Sequence, residues 1–241
     1  MTNDLWDEVD TPSAIYPGGY IAVSGNTGAG KSTLVNLLSS RIRALGLQAV
    51  GVNERTFHHP LLRQMFANPQ KYALPVQLNF LVQRSLFLIR SMENNHLVVL
   101  ERSHYDDPIF IREHYDRGHI SSAELDAYLT ISERFGKIIP APDVFVFLNV
   151  SPQTSFERIT YAEKSGERPC EFPNDDVKLL YINSWHKRYQ AFFAEIRSKA
   201  LGGLFSNTMF FEFTESVQPQ QAADRILDAW GKSREGNRNV D

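Results

Sequence analysis

A single cysteine, Cys170, among 241 residues rules out an internal disulfide framework and any metal site built on several thiolates, and it fits a reducing, cytoplasmic setting. An excess of charge of one sign is missing too: 25 basic residues face 28 acidic ones, a formal net charge of −3. Such a balance gives no electrostatic footprint for a nucleic-acid backbone, so a polymer substrate is not expected. No apolar run reaches the roughly 20 residues that a membrane-spanning helix needs. Residues 1–20, acidic and holding Pro12 and Pro17, lack the basic and apolar regions of a signal peptide. There is no internal repeat, no low-complexity segment and no linker, and the length allows one sizeable core. A single domain over 1–241 is therefore expected, with 1–18 as an N-terminal extension and 232–241 as a frayed polar tail.

What the chain does have is one dense motif. Gly25-Asn26-Thr27-Gly28-Ala29-Gly30-Lys31-Ser32, followed by Thr33, fits G-x-x-x-x-G-K-[ST]. Glycines at these places let successive backbone N–H groups turn toward one cluster of phosphates, Lys31 neutralises β- and γ-phosphates, and the Ser32 hydroxyl can ligate Mg²⁺. The setting agrees with the motif. Residues 20–24 read as a buried strand before it, and Leu34, Val35, Leu37, Leu38 and Ile42 recur at helical spacing after it, so the positive end of a helix would face the phosphates. Four further apolar stretches, 47–53, 96–100, 143–148 and 208–213, read as strands. Helical patterns run over 60–66, 76–92, 109–115, 123–135, 175–198 and 217–230. Ser151 caps another helix with Pro152 at its first position, and a charged segment, 162–171, follows it. Apolar strands that alternate with helices and show no period-two polarity predict an α/β fold, with a five-stranded parallel sheet covered on both faces.

A phosphate loop announces a nucleotide, not a reaction, so the discriminating residues are the polar ones at strand ends. Glu101 directly follows a strand, where P-loop proteins keep an acidic residue for Mg²⁺ or its waters, and Arg102 can meet charge that develops during transfer. Glu54 follows the neighbouring strand, at the carboxyl end of the sheet where ligands bind in such folds. A carboxylate there can accept the proton of a hydroxyl as its oxygen attacks the γ-phosphorus; the bland alternative is a surface pair with Arg55. Gln77, Phe80 and Arg84 stand at i, i+3 and i+7, so one helical face carries an amide, a ring and a guanidinium. That face suits a nucleobase, or equally a half-exposed amphipathic helix with solvated ends.

Together these motifs resemble the deoxynucleoside kinase family, in particular its bacterial deoxyadenosine/deoxyguanosine kinase branch, over nearly the whole chain. GNTGAGKST is similar to the family's phosphate loop, PVQLNFLVQR to its base-reading helix, and Glu101-Arg102-Ser103 to its ERS signature. The resemblance implies a P-loop kinase fold of three layers, α/β/α, with a short lid at 162–171. It implies ATP and Mg²⁺ and the phosphorylation of a nucleoside 5′-hydroxyl, a purine deoxynucleoside first, by a homodimer formed through helices. Carried over residue by residue, it makes Glu54 the general base, sets Lys31 and Arg102 on the reacting phosphates, and gives the metal to Ser32 and Glu101. Gln77, Arg84 and Asp107 hold the base edge between Phe80 and Phe110, Arg158 lies on the phosphate side, and Glu167 contacts the sugar. Asp107 beside an arginine is expected to be held ionised.

Two places depart from the family. Residues 162–164 read Ala-Glu-Lys where its lid usually reads R-G-R, leaving Lys164 and Arg168 to replace the lost charge. Phe66 stands where the family commonly has a tyrosine that bonds the sugar 3′-hydroxyl, so a ribonucleoside or a modified nucleoside also enters as a substrate. The competing readings are a thymidylate-like nucleoside monophosphate kinase and a nucleotide-binding subunit without turnover. An acidic Glu54 beside an acceptor phosphate counts against the first, and the joint presence of Lys31, Glu54, Glu101 and Arg102 against the second. No N-K-x-D sequence occurs, which speaks against a GTPase switch.

Overall fold

Alternate side chains of a strand point to opposite faces of the sheet, and in this chain both faces are apolar. The computed structural model describes residues 19–57, 60–94, 96–199 and 203–238; the extension expected at 1–18 lies outside them. Five parallel strands, β1 (Tyr20–Gly25), β2 (Ala49–Val52), β3 (Leu97–Glu101), β4 (Val144–Asn149) and β5 (Met209–Thr214), are ordered β2-β3-β1-β4-β5. In β1, Tyr20 and Ala22 join one core while Ile21 and Val23 join the other; in β4, Phe145 and Phe147 oppose Val144, Val146 and Leu148. Burial on both sides is why these strands read as unbroken apolar runs.

One core is closed by α1 (Lys31–Ala44), through Leu34, Val35, Leu38 and Ile42, and by α8 (Pro219–Arg238), through Ala222, Ala223, Ile226 and Trp230. The other is covered by α2 (Leu62–Ala67), α3 (Pro69–Glu93), α4 (Asp107–Asp116), α5 (Ser122–Ile138) and α7 (Asp175–Lys199), while α6 (Pro152–Lys164) packs on α7. Each fully buried Leu, Ile, Val or Phe contributes about 1.5–3 kcal/mol by leaving water. The two cores therefore fix the register of the strands jointly, and with it the relative heights of their carboxyl ends: Val23 lies opposite Glu101 and Gly25 opposite Leu148.

The expected three layers and five strands are present, with four local differences. The long helix α3 begins at Pro69, seven residues before the expected start. Pro69 occupies the first turn, where a missing N–H costs nothing, and the helix continues through Pro75 although that residue cannot bond back to the Lys71 carbonyl. Glu54 stands in a 3-10 turn, Glu54–Phe57, beyond a shorter β2. Helix α6 runs through Lys164, so the first three residues of the expected lid are helical. Helix α8 runs to Arg238, so most of the expected polar tail continues it; 239–241 lie outside the described residues. The cap on α6 is as the sequence suggests, with Thr154 N donating to Ser151 Oγ at 3.2 Å.

Candidate active site

The phosphate loop crosses the carboxyl end of β1 and ends at Gly30, the left-handed N-cap of α1. The first turn of α1 has no acidic side chain and no side-chain cap, so its free N–H groups and positive dipole end remain for an anion. Gly28 is needed twice over: its φ is +74°, and a Cβ there would come within 2.6 Å of the Ser155 carbonyl oxygen of α6. Lys31 is buried, with Nζ donating to the Asn26 carbonyl at 2.7 Å and lying 3.7 Å from Glu101 Oε1. Burial first, and Arg102 second, pull its pKa down to about 8 against the carboxylates of Glu101 and Glu54. Ser32 Oγ donates to Glu101 Oε2 at 2.7 Å. Asn26 ties the loop to α7 by donating to the Ile182 carbonyl at 2.8 Å, Thr27 lines the cleft, and Thr33 is exposed. From α6, Arg158 donates to the Ala29 carbonyl at 3.4 Å, so this expected phosphate-side arginine does reach the loop.

Glu101 also accepts from the backbone N–H of Glu54 at 3.2 Å, which draws the turn after β2 against the end of β3. The Glu54 side chain meets Arg102 in a direct ion pair and lies 3.6 Å from Arg84 Nη2. Arg84, 1% exposed, forms a second direct pair with Asp107. Aromatic faces hold both guanidinium groups: Arg102 lies 4.6 Å from the Phe110 ring centroid, and Arg84 lies 5.7 and 5.8 Å from those of Phe57 and Phe80. Asp107 beside Arg84 stays ionised at neutral pH, but less firmly than the pairing alone implies. Burial outweighs the arginine and pushes the Asp107 carboxyl up to about 6.

Beyond this lattice a cleft opens between α2, α3 and α7. Gln77 reaches it from α3, where its amide donates weakly to Met65 Sδ at 3.6 Å. Phe80 and Phe110 line it as expected, and so does Phe66. The aromatic wall is completed by two residues that pattern reading overlooked: Phe172, 4.6 Å from Phe66, and Trp185, 5.3 Å from Phe110, both as ring centroids. Their signal in the sequence is faint, one aromatic after a charged stretch and one in a long helix.

The segment after α6 departs most from expectation. Lys164 is exposed at the last turn of α6 and its charge acts on Asp175. Glu167 is exposed and outside the cleft; its backbone carbonyl accepts from Arg55 at 3.1 Å. Glu171, 8% exposed, is the carboxylate on the cleft wall, paired with Arg168 at 2.6 Å. The chain reverses at Gly166, with φ +77°, and Arg168 N bonds the Ala162 carbonyl at 3.0 Å; that turn sends 167 outward and 168 and 171 inward. The available clue was Phe172, an apolar neighbour that drags Glu171 toward the interior.

Phosphates thus have a seat at the mouth of the glycine loop, and a hydroxyl brought beside them would meet Glu54 and Arg102, which is the arrangement of a P-loop phosphotransferase. The sequence model of the family described as Deoxynucleoside kinase matches residues 21–233, and the chain belongs to the deoxynucleoside kinase family, and so to the nucleoside kinases. A deoxyguanosine kinase of Dictyostelium discoideum is 34% identical over 183 residues, which are 74% of this chain and 60% of that protein, so this chain spans about three fifths of that relative's length. A deoxyguanosine kinase of Lactobacillus acidophilus is 33% identical over 184 residues, 70% of this chain and 75% of the relative. The fold is also that of a deoxyadenosine kinase from M. mycoides solved with products dCMP and a flexible dCDP bound. That likeness has a TM-score of 0.66 at 20% identity and covers 88% of this chain and 99% of the other.

Proposed function

We propose that the chain transfers the γ-phosphoryl group of ATP to the 5′-hydroxyl of a purine deoxynucleoside. The observation that carries this reading is the polar path Ser32, Glu101, Glu54, Arg84, Asp107, which joins the phosphate loop to a buried hydrogen-bonding pair in an aromatic-walled cleft. Lys31 and the N–H groups of α1 hold the β- and γ-phosphates, with Arg158 alongside. Ser32 and Glu101 offer two hard oxygen donors 2.7 Å apart beside them, a set that fits Mg²⁺ when phosphates and water complete its shell. Bound there, the ion would neutralise charge shared by the β- and γ-oxygens. Glu54 orients the 5′-hydroxyl and takes its proton, and Arg102 follows the charge that builds on the transferred group.

At the other end, Asp107 accepts from a purine amine or ring N–H, Arg84 donates to a ring nitrogen or carbonyl, and Gln77 suits a Hoogsteen edge. Phe80 and Phe110 border the base. Thymine has no exocyclic amine and brings a methyl group toward Phe80. Glu171, rather than Glu167, takes a sugar hydroxyl, in a site where Phe66 has none to offer. The names of the two deoxyguanosine kinase relatives support the purine reading. A thymidylate-like kinase is not favoured, because Glu54 would face an acceptor phosphate. The enzyme works in the cytoplasm as a homodimer; a largely apolar groove among α4, α5 and α7, with Ile109, Leu129, Phe192 and Ile196 on its walls, supports the pairing. Among the described residues no helix is long and apolar enough to cross a membrane.

The test is a steady-state comparison of the four deoxynucleosides with ATP. Deoxyadenosine or deoxyguanosine should have the highest kcat/KM, deoxycytidine the next and thymidine the lowest, since a base that leaves buried polar groups unpaired can be rejected by a factor of about 10⁴. Thymidine as the best substrate would overturn the base assignment.

A further inference from the structure

Arg102 reaches Glu54 from backbone that resists the conformation. Among the described residues it is the one non-glycine residue with positive φ, +61°, a conformation that a side chain disfavours unless its surroundings impose it. Something must over-determine the turn. Arg102 N donates to the Val23 carbonyl at 2.9 Å. The next residue, Ser103, gives both its donors to one carboxylate oxygen, Asp106 Oδ2, with N at 2.9 Å and Oγ at 3.1 Å. Ser24, the residue before Gly25 of the phosphate loop, donates to the same oxygen at 2.9 Å. Asp106 and Ser103 are wholly buried.

A carboxylate is an expensive way to accept three neutral hydrogen bonds in an interior, since a neutral acceptor would avoid burying charge. Its other oxygen, Oδ1, is buried with no hydrogen-bond partner. The charge does act on the site. Burial works against the charge of Arg102 and of Arg84; Glu54 offsets this at Arg102 and Asp107 at Arg84, and Asp106 adds to both.

We propose that Asp106 is a positioning residue for phosphoryl transfer. Through Ser103 it holds Arg102 in the left-handed conformation with its guanidinium on Glu54, and through Ser24 it locks that turn to the strand that feeds the phosphate loop. The distance between the transferred phosphate and Arg102 is then set by one oxygen atom shared between β1 and the turn after β3. This rests on the role given above to Arg102 at the reacting phosphate.

The experiment is a double-mutant cycle on kcat, with nucleoside KM and thermal melting measured for each variant. Displacing a catalytic group by about 1 Å can cost on the order of 10²-fold, so Asp106→Ala should lower kcat by roughly tenfold to a hundredfold while nucleoside KM stays within about threefold. Asp106→Asn offers an amide oxygen to the same three donors but no charge, so its kcat should lie between those of the wild type and Asp106→Ala. Arg102→Ala and the double variant Arg102→Ala/Asp106→Ala should have the same kcat, because Asp106 acts through Arg102. Losses that multiply in the double variant would overturn the proposal, as would an Asp106→Ala enzyme that melts earlier but turns over normally. An Arg102→Ala enzyme with wild-type kcat also overturns it and puts the fault in the role of Arg102; normal turnover in Asp106→Ala beside a crippled Arg102→Ala puts it in Asp106 alone. Should Asp106→Ala fail to fold, Ser24→Ala removes one donor only. It should lower kcat several-fold without changing nucleoside KM, and an unchanged kcat would again sink the idea.

Discussion

Beside the phosphate loop the side chains that line the cleft hang from the rim of the sheet, whereas at Arg168 and Glu171 they hang from a turn between two helices. Glu101, Arg102 and Glu54 lie at or just beyond the ends of β3 and β2, the glycine loop carries Lys31 and Ser32 from the end of β1, and the parallel register holds those ends at fixed heights. Arg168 and Glu171 depend instead on a reversal at Gly166 and on the packing of Phe172 against Phe66. The first region is rigid because two cores must move together to disturb it. The second can be re-aimed by a change in one turn, and on the proposed function that turn would admit a nucleoside and then cover it. Chemistry should therefore fail when the rim is altered, and substrate recognition should shift when the turn is.

The largest expected effect follows from Glu54, the residue on which the rim converges. Glu54→Gln keeps the shape but cannot take a proton, so kcat should fall by about a hundredfold or more, the usual scale for a general base, with nucleoside binding retained. Calorimetric binding beside single-turnover transfer would separate the two. Wild-type turnover would return Glu54 to a structural partner of Arg102 and remove the contrast between the two ends.

This contrast also explains what was legible before the fold was known. A strand followed by a polar motif fixes where its residues lie, because the sheet carries the strand to the rim whatever the rest of the chain does; the glycine loop, Glu101-Arg102 and Glu54 could all be placed that way. Arg84 and Asp107 were legible as a pair through resemblance, but the competition between burial and the arginine at Asp107 depends on how deeply the pair is packed, which no spacing encodes. Helix α3 began early because Pro69 reads as a break in a pattern while physically it is a good first residue. The carboxylate of this segment that lines the cleft is Glu171, four residues beyond the expected Glu167. In a turn, successive residues differ in direction by amounts that only the dihedral angles supply, and Gly166 is where that information enters. Asp106 escaped notice because its partners, Ser24 and Ser103, become neighbours only when β1 and β3 pair.

A smaller effect, graded with pH, should distinguish the ends within one enzyme. Asp107, raised to about 6, must be ionised to accept from the base, so kcat/KM for a purine deoxynucleoside should fall as pH drops through that value. Lys31, lowered to about 8, must be protonated to hold phosphates, so the free enzyme should also lose activity as pH rises through that value. Each limb approaches tenfold per pH unit far from its midpoint. Saturating ATP places negative charge beside Lys31 and favours its protonated form, so the alkaline limb of kcat/KM for the nucleoside should move upward while the acid limb stays. Asp107→Asn should remove the acid limb, and an identical acid limb in that variant would mean another group controls recognition.

The smallest effect should come from the turn, and it discriminates between two glutamates. A hydrogen bond from a sugar hydroxyl to a carboxylate contributes about 1.5–3 kcal/mol, or roughly ten- to a hundredfold in affinity. Glu171→Gln should therefore raise nucleoside KM by about tenfold and change kcat less, because the contact is made in the ground state as well as in the transition state. Glu167→Gln, altering an exposed side chain whose residue contributes only its carbonyl to Arg55, should leave both constants within about twofold, as most surface changes do. A substrate lacking the 3′-hydroxyl sharpens the test. The wild-type enzyme should bind it worse than the parent nucleoside, whereas Glu171→Gln should treat the two nearly alike, since the partner of the missing hydroxyl has already been weakened. If instead Glu167→Gln abolishes the penalty and Glu171→Gln preserves it, the turn closes on the nucleoside with 167 facing inward, and the carboxylate now on the cleft wall belongs to the open form alone.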